Sequence, residues 1–273
     1  MLSKLLKYEF RETARVIPFF YLIVLALAVT VFTSKQLEIG WFIGTSSTLL
    51  IIFGIATIVI TFVLIVIRFY RNLYSNEGYL MFTLPVRPVL LLTSKVIVSY
   101  IWIIVSYLIA LGSVCISLYG FGVSIGEIDE IISQIQKYGL EKIIYAIIPV
   151  FLLSTLYLLS QIFFSITFAN RPALHGLGIG AAFLVFLATY VILQIVYSIF
   201  TIFVPFSINV GIADKANITL TNKNMFEFII ENVNGNNPEN FIIGLGGYVF
   251  IAIMICVLLY LTAYMMKRKV SIK

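Results

Sequence analysis

Few side chains in this 273-residue sequence are of the types that usually carry out chemistry. The single histidine, His175, has no acidic or cysteine neighbour. Cys115 and Cys256 lie far apart in apolar runs, so they form neither a disulfide framework nor a metal-ligand spacing, and both are expected to be small buried hydrophobes. There is no H-E-x-x-H and no Gly-Lys pair of a phosphate-binding loop. We therefore expect no catalytic residue, no metal ligand and no cofactor bound by this chain.

Polar and small side chains inside apolar runs form a second group of candidates. Such polar residues either line an interior path or hydrogen-bond between helices, and the sequence leaves both roles open. The candidate path-lining residues are Ser154, Gln161, Ser165 and Gln194. Two glycine groups, at positions 176, 178 and 180 and at 244, 246 and 247, are expected to allow close helix packing.

The composition identifies the surroundings in which these residues act. The sequence is 61% hydrophobic and only 11% charged, and its mean hydropathy is +1.08. A soluble domain carries about 25% charged residues, so this chain has too few charges to cover a surface facing water. The composition excludes a soluble enzyme, a disordered chain and a nucleic-acid-binding domain, although the pI is about 9.2.

Six apolar runs are long enough to cross a bilayer, because about 20 residues span its hydrocarbon core as a helix. They are residues 16–33, 41–67, 96–121, 143–169, 174–205 and 241–266, and none contains Asp, Glu, Lys or Arg. The predicted fold class is therefore an all-α integral membrane protein, a single transmembrane domain over residues 1–273. Residues 1–15 are predicted to form an amphipathic helix in the membrane plane, residues 127–142 an outer amphipathic helix, and residues 206–240 an outer loop.

The charges predict the orientation of these spans. Thirteen of the 18 Lys and Arg residues lie in the N-terminus, the second and fourth loops and the C-terminus, whereas nine of the 12 acidic residues lie in the other loops. Cationic segments stay in the cytoplasm, so both termini are predicted to be cytoplasmic.

The longest cytoplasmic segment in this topology is residues 68–95, which is too polar to span and too apolar for a linker. Phe69, Leu73, Leu80 and Leu84 fit one helical stripe, and Pro88 is suited to begin the next helix. From the residues alone, an interfacial helix and a docking element for a soluble partner remain equally open.

Two motifs in this arrangement resemble a known family. The basic start K-L-L-K-Y-E-F at residues 4–10, followed by six spans, resembles the permease subunits of ABC-2-type ABC transporters. The run Y-S-N-E-G-Y-L-M-F-T-L-P-V at residues 74–86 is similar to the cytoplasmic motif of a Gram-positive branch of that group.

The resemblance implies a bacterial plasma-membrane protein with several partners and no nucleic acid among them. The partners are two ABC ATP-binding subunits, which hold ATP and Mg²⁺, a second permease that is identical or homologous, and the lipid membrane. Residues 68–95 would be the coupling loop, and a hydrophobic or amphipathic substrate such as an antimicrobial peptide would be exported or resisted. The residues that would contact the ATPase are Arg71, Tyr74, Ser75, Asn76, Glu77, Gly78, Tyr79 and Arg171.

Two other functions stay open at this point. The chain is alternatively a secondary transporter or channel acting alone, although its spans hold no ionisable group of the kind that ion-coupled carriers usually place at membrane depth. It is also compatible with a non-transporting subunit of a sensor or immunity complex.

Overall fold

The structure, a computed structural model, describes residues 2–75, 78, 86–137, 139, 141–171, 178–211, 217–233 and 240–268. Helices dominate this part of the chain. In chain order they are α1 (Leu2–Thr13), α2 (Ile17–Gln36), α3 (Gly40–Tyr74), α4 (Pro88–Gly120), α5 (Ile125–Lys137), α6 (Glu141–Ala169), α7 (Gly178–Phe203), α8 (Met225–Val233) and α9 (Gly246–Arg268). Three strands lie between α7 and α9: β1 (Ser207–Gly211), β2 (Asn217–Thr221) and β3 (Asn240–Gly244).

Six helices in the described residues are long and apolar enough to cross a membrane, namely α2, α3, α4, α6, α7 and α9. A helix satisfies its backbone hydrogen bonds internally, which a segment in hydrocarbon must do because lipid offers no partner. The chain is therefore a multi-pass membrane protein, as its apolar runs predicted.

The bounds of α3 and α4 differ from the predicted ones. Helix α3 continues to Tyr74 and α4 begins at Pro88, so much of the predicted loop over residues 68–95 is helix continuous with the two spans. Phe69 and Leu73 extend the buried side of α3, and Leu91 and Leu92 are buried at the start of α4. Their burial makes continued helix more favourable than a separate loop element, and Pro88 occupies the first turn as expected.

The all-α prediction is wrong for the segment between α7 and α9. Strand β1 pairs in antiparallel fashion with β2 and with β3, and Ser207 lies opposite Thr221 on one side and Gly244 on the other. The predicted sixth span began at residue 241, but β3 ends at Gly244 and α9 begins at Gly246. A short apolar run has no periodicity that separates strand from helix, so the pairing with β1 decided its structure.

Two compact units divide the chain within α5, between Ile128 and Asp129. In the first unit α2, α3 and α4 pack against one another and α1 packs against α4. Hydroxyl groups join the spans: Thr61 Oγ1 and Ser106 Oγ lie 2.8 Å apart, and Ser117 Oγ donates to the Ser47 carbonyl at 3.0 Å. Small side chains allow such close approach.

The second unit contains α6, α7 and α9, each in contact with the other two. A Cβ at Gly246 would lie 2.5 Å from Val204 Cβ, and one at Gly247 would lie 2.5 Å from Tyr197 Cε2. The predicted packing role of these glycines is therefore confirmed. Gly180 differs, because a Cβ there would have no neighbour within 4 Å.

We predict opposite effects for two glycine substitutions in the first unit. A Cβ at Gly54 would lie 2.9 Å from Ser113 Cβ, so Gly54→Ala should destabilise the unit by about 1–3 kcal/mol through overpacking. Gly112→Ala is the matched control because a Cβ there meets nothing within 4 Å, and it should be neutral or stabilising. Thermal unfolding in detergent measures both. Equal melting temperatures for the two variants would contradict the packing of α3 against α4.

Candidate functional site

The site in the first unit that offers the most chemistry is a group of four charged side chains where α1 meets α3 and α4. Glu9 accepts a hydrogen bond from Lys95 Nζ at 2.5 Å and one from Arg68 Nε at 3.4 Å. Glu12 forms an ion pair with Arg68 as well. We refer to Glu9, Glu12, Arg68 and Lys95 as the ionic cluster. Two carboxylates face two cations, so its formal charge is zero.

Burial differs sharply within the ionic cluster. The side chains of Lys95 and Glu9 are 4% and 9% exposed, whereas the Glu12 side chain is 59% exposed. A buried ion that loses its partner costs about 3–5 kcal/mol, but an exposed pair contributes about 0–1 kcal/mol. Breaking the Glu9–Lys95 pair is therefore expected to cost far more than breaking the Glu12–Arg68 pair.

Aromatic and hydroxyl contacts fix α1 beside the ionic cluster. Thr13 Oγ1 donates to the Glu9 carbonyl at 2.8 Å, and Trp102 Nε1 of α4 donates to the same Thr13 oxygen at 2.8 Å. The ring of Phe10 stacks on Trp102 with centroids 4.9 Å apart. These contacts leave the buried polar groups at the end of α1 hydrogen-bonded, as burial requires.

The ionic cluster lies close to the residue at which α2 begins. Ile17 packs against Val98 and Trp102 of α4, with Leu64 of α3 beside them. From Val98 to the end of α4 there are about 23 residues, or roughly 34 Å of helix, which is long enough to cross a hydrocarbon core of about 30 Å. Arg68 and Lys95 lie about one turn from Leu64 and Val98, and α3 and α4 both continue past them. We refer to residues 68–74 and 88–95 as the helical extensions.

The residues expected to contact an ATPase have different surroundings at the end of α3. Arg71 is exposed, Tyr74 is buried with its ring centroid 6.2 Å from that of Phe69, and Ser75 is half-buried. Asn76, Glu77 and Tyr79 lie outside the described residues.

Gly78 is required by the turn that follows α3. Its N–H donates to the Ser75 carbonyl at 2.7 Å, and a Cβ at this position would lie 2.8 Å from the carbonyl carbon of Leu73. Any side chain would therefore displace the end of α3. A substitution at Gly78 reports on this turn as well as on any partner, which makes Arg71 the better position for testing partner contact.

The remaining predicted residues lie in the second unit. The guanidinium of Arg171 is half-buried, 4.3 Å over the Phe168 ring and in contact with Met265 Sδ. Its contact with a partner stays a prediction.

The four candidate path-lining residues do not share one environment in this unit. Gln161 and Ser165 are buried, and Ser165 Oγ lies 3.2 Å from Thr189 Oγ1 of α7. Ser154 is half-buried and donates to the Val150 carbonyl at 2.9 Å, whereas Gln194 is exposed. Ser165 therefore serves a helix–helix hydrogen bond, one of the two roles that the sequence left open.

The described residues contain no group of three or more His, Cys, Asp or Glu side chains that could hold a metal ion. Cys115 and Cys256 are exposed rather than buried, so the expectation of a core position is wrong for both. Each lies on a helix side that faces away from its own unit, where a small apolar side chain suits a lipid environment as well as a core.

Sequence reasoning missed one motif and one site. Residues 122–126 have the G-x-S-x-G spacing of a hydrolase nucleophile elbow, which requires a strand before it. Here a helix precedes it, and Ser124 caps α5 by accepting from the Glu127 N–H at 3.3 Å. The missed site is the ionic cluster, and its signal was the presence of Glu9 and Glu12 within an otherwise basic segment.

Comparison with known proteins gives no further identification: no family model matches the chain, and no curated protein or solved structure is significantly similar to it.

We predict that the Glu9–Lys95 pair stabilises the first unit and that Glu12 does not. Glu9→Gln should lower the free energy of unfolding by about 3 kcal/mol, because it leaves the buried Lys95 without this counter-charge, and Lys95→Met should cost less because Glu9 keeps Arg68. The double variant should lose less than the sum of the two single effects. Equilibrium unfolding in mixed micelles measures the three values.

Glu12→Gln is the control for this comparison of single and double variants, since it removes the same charge from the same helix at a largely exposed position. Its expected loss is below about 1 kcal/mol. A loss as large as that of Glu9→Gln, or strictly additive single effects, would refute the assignment.

Proposed function

We propose that this chain is the membrane permease subunit of an ATP-driven ABC transporter of the ABC-2 type, in a bacterial plasma membrane. The observation that carries the proposal is the pair of helical extensions, which bracket residues 75–87 and are held to α1 by the ionic cluster. Residues 74–86 are also the run that resembles the family's cytoplasmic motif.

Three sequence features support this proposal. The chain has no Gly-Lys phosphate loop, so ATP-driven transport by it needs an ATP-binding second protein. The basic residues favour a cytoplasmic position for both termini and for residues 75–87. The basic residues of α1 favour a position for that helix in the plane of the inner leaflet.

In the proposed mechanism, two ATP-binding subunits bind ATP and Mg²⁺, and their closure moves the coupling segments of two permeases together. The helical extensions are rigid continuations of α3 and α4, so displacement of residues 75–87 is transmitted along both helices. The spans then reorient as bodies and change the side to which the substrate path opens. The substrate proposed is a hydrophobic or amphipathic molecule, such as an antimicrobial peptide that is exported or resisted.

We predict that residues 86–87 face the cytoplasm and the segment before α8 faces outside. In a variant with both native cysteines replaced by alanine, Arg87→Cys should react with a membrane-impermeant maleimide only after the cells are permeabilised. Lys223→Cys should react in intact cells, because alternating sides follow from six spans. The reverse pattern, or equal labelling, would contradict the topology.

We predict that affinity purification from native membranes in mild detergent recovers an ATP-binding subunit in about equal amount. Arg71→Glu should reduce recovery of the ATP-binding subunit, and stimulation of that subunit's ATPase activity, about tenfold, since a charge reversal at an exposed contact opposes association. The stoichiometry also shows whether one or two permease types are present.

Lys267→Glu reverses a charge at the exposed end of α9 and should leave recovery unchanged. If an intact, monodisperse protein carries no ATP-binding subunit, the permease proposal fails. Substrate flux in proteoliposomes without ATP then identifies a carrier or channel, and its absence favours a sensor or immunity subunit.

A further inference from the structure

A second feature of α1 lies on the side away from the ionic cluster. A groove of about 510 Å³ runs between α1 and α4. Its α4 side is apolar and consists of Ile97, Val98 and Ile101. Its α1 side carries Leu6 and Phe10 together with two basic residues, Lys7 and Arg11. A carboxylate is absent from this lining.

The two cations act on the groove together. Lys7 and Arg11 are one helical turn apart, so their side chains leave the same face of α1, and both are exposed. Neither is in an ion pair with any carboxylate of the described residues. By contrast, Arg68 and Lys95 on the opposite side of α1 are already paired with Glu9.

The position of the groove and the two kinds of residue that line it indicate what could bind there. Val98 packs against Ile17, the first residue of α2, so the groove lies beside the beginning of an apolar span. Ile97 and Ile101 are 39% and 41% exposed, so the apolar wall is open, and the two cations beside it are exposed as well. An anionic headgroup joined to a hydrocarbon chain would pair with the two cations and cover the apolar wall.

We propose that this groove binds an anionic phospholipid, with its phosphate between Lys7 and Arg11 and an acyl chain along Ile97 and Ile101. Basic grooves between membrane helices recognise anionic headgroups in this way. A free phosphate would gain nothing from the apolar wall, and a zwitterionic lipid, with no net charge, would gain less from the two cations. Because the bound lipid contacts both α1 and α4, it strengthens their association. This inference does not depend on ATP-driven transport.

The test is native mass spectrometry of the purified full-length protein, titrated with phosphatidylglycerol and with phosphatidylcholine of identical acyl chains. The wild type should prefer phosphatidylglycerol by about tenfold, because each cation near an anionic headgroup contributes favourably. K7Q/R11Q should reduce the preference to near unity. R15Q/K267Q removes two charges outside the groove and should retain the preference.

A groove-filling variant keeps the test decisive if the charge variant is poorly folded. Ile97→Trp leaves both cations in place and should weaken binding of both lipids, because it occupies the path of the acyl chain. Equal binding of the two lipids by the wild type would overturn the proposal. It is also overturned if inorganic phosphate competes fully with the lipid, or if the groove variants change the oligomeric state rather than lipid binding.

Discussion

The hydrocarbon interior of the membrane offers no hydrogen-bond partner, and this one constraint accounts for most of the structure. Backbone polar groups are satisfied within helices, and hydroxyl side chains turn back to carbonyls of their own helix, as Thr57 does to Phe53 at 2.8 Å and Thr155 to Phe151 at 2.9 Å. Hydroxyl groups bonded in this way need no partner from the lipid. Charged side chains gather beyond the apolar layer, and there the first unit brings four of them together around α1.

The ionic cluster connects the parts of the first unit that a partner would have to move. Both of its acids belong to α1, whereas its bases belong to α3 and α4, one on each side of residues 75–87. Separating Glu9 from Lys95 would leave the buried Lys95 without this counter-charge, at a cost of about 3–5 kcal/mol. Displacement of either helical extension is therefore expected to carry α1 with it. If these pairs stay intact during a functional movement, α1, α3 and α4 must move together as one rigid body.

Helix α1 has its acidic residues on one side and two of its basic residues on the other, so it can contact the ionic cluster and the groove at the same time. At 100° per residue, Glu9 and Glu12 lie on nearly the opposite side of α1 from Lys7 and Arg11. The acidic side is neutralised within the protein, and the basic side remains available beside an apolar groove. This segregation explains why α1 requires acids at all in a basic segment next to a membrane. The proposed transporter function and the proposed lipid site depend on different sides of the helix and are independent for that reason.

The sequence by itself determined the membrane class, the six spans and the helix start at Pro88, since these depend on run length and on one residue's backbone geometry. Charge sign and the motif at residues 74–86 also come from the sequence, and the orientation and family drawn from them stay predictions. Only the tertiary structure decided that residues 68–74 and 88–95 are helical, that Asn240–Gly244 is a strand, and that Glu9 pairs with Arg68 and Lys95. Each of these depends on a partner distant in sequence: a neighbouring helix, strand β1, or a cation more than fifty residues away. The local sequence pattern does not predict which distant segment a residue will contact. That contact stabilises the structure only once folding has brought the two segments together.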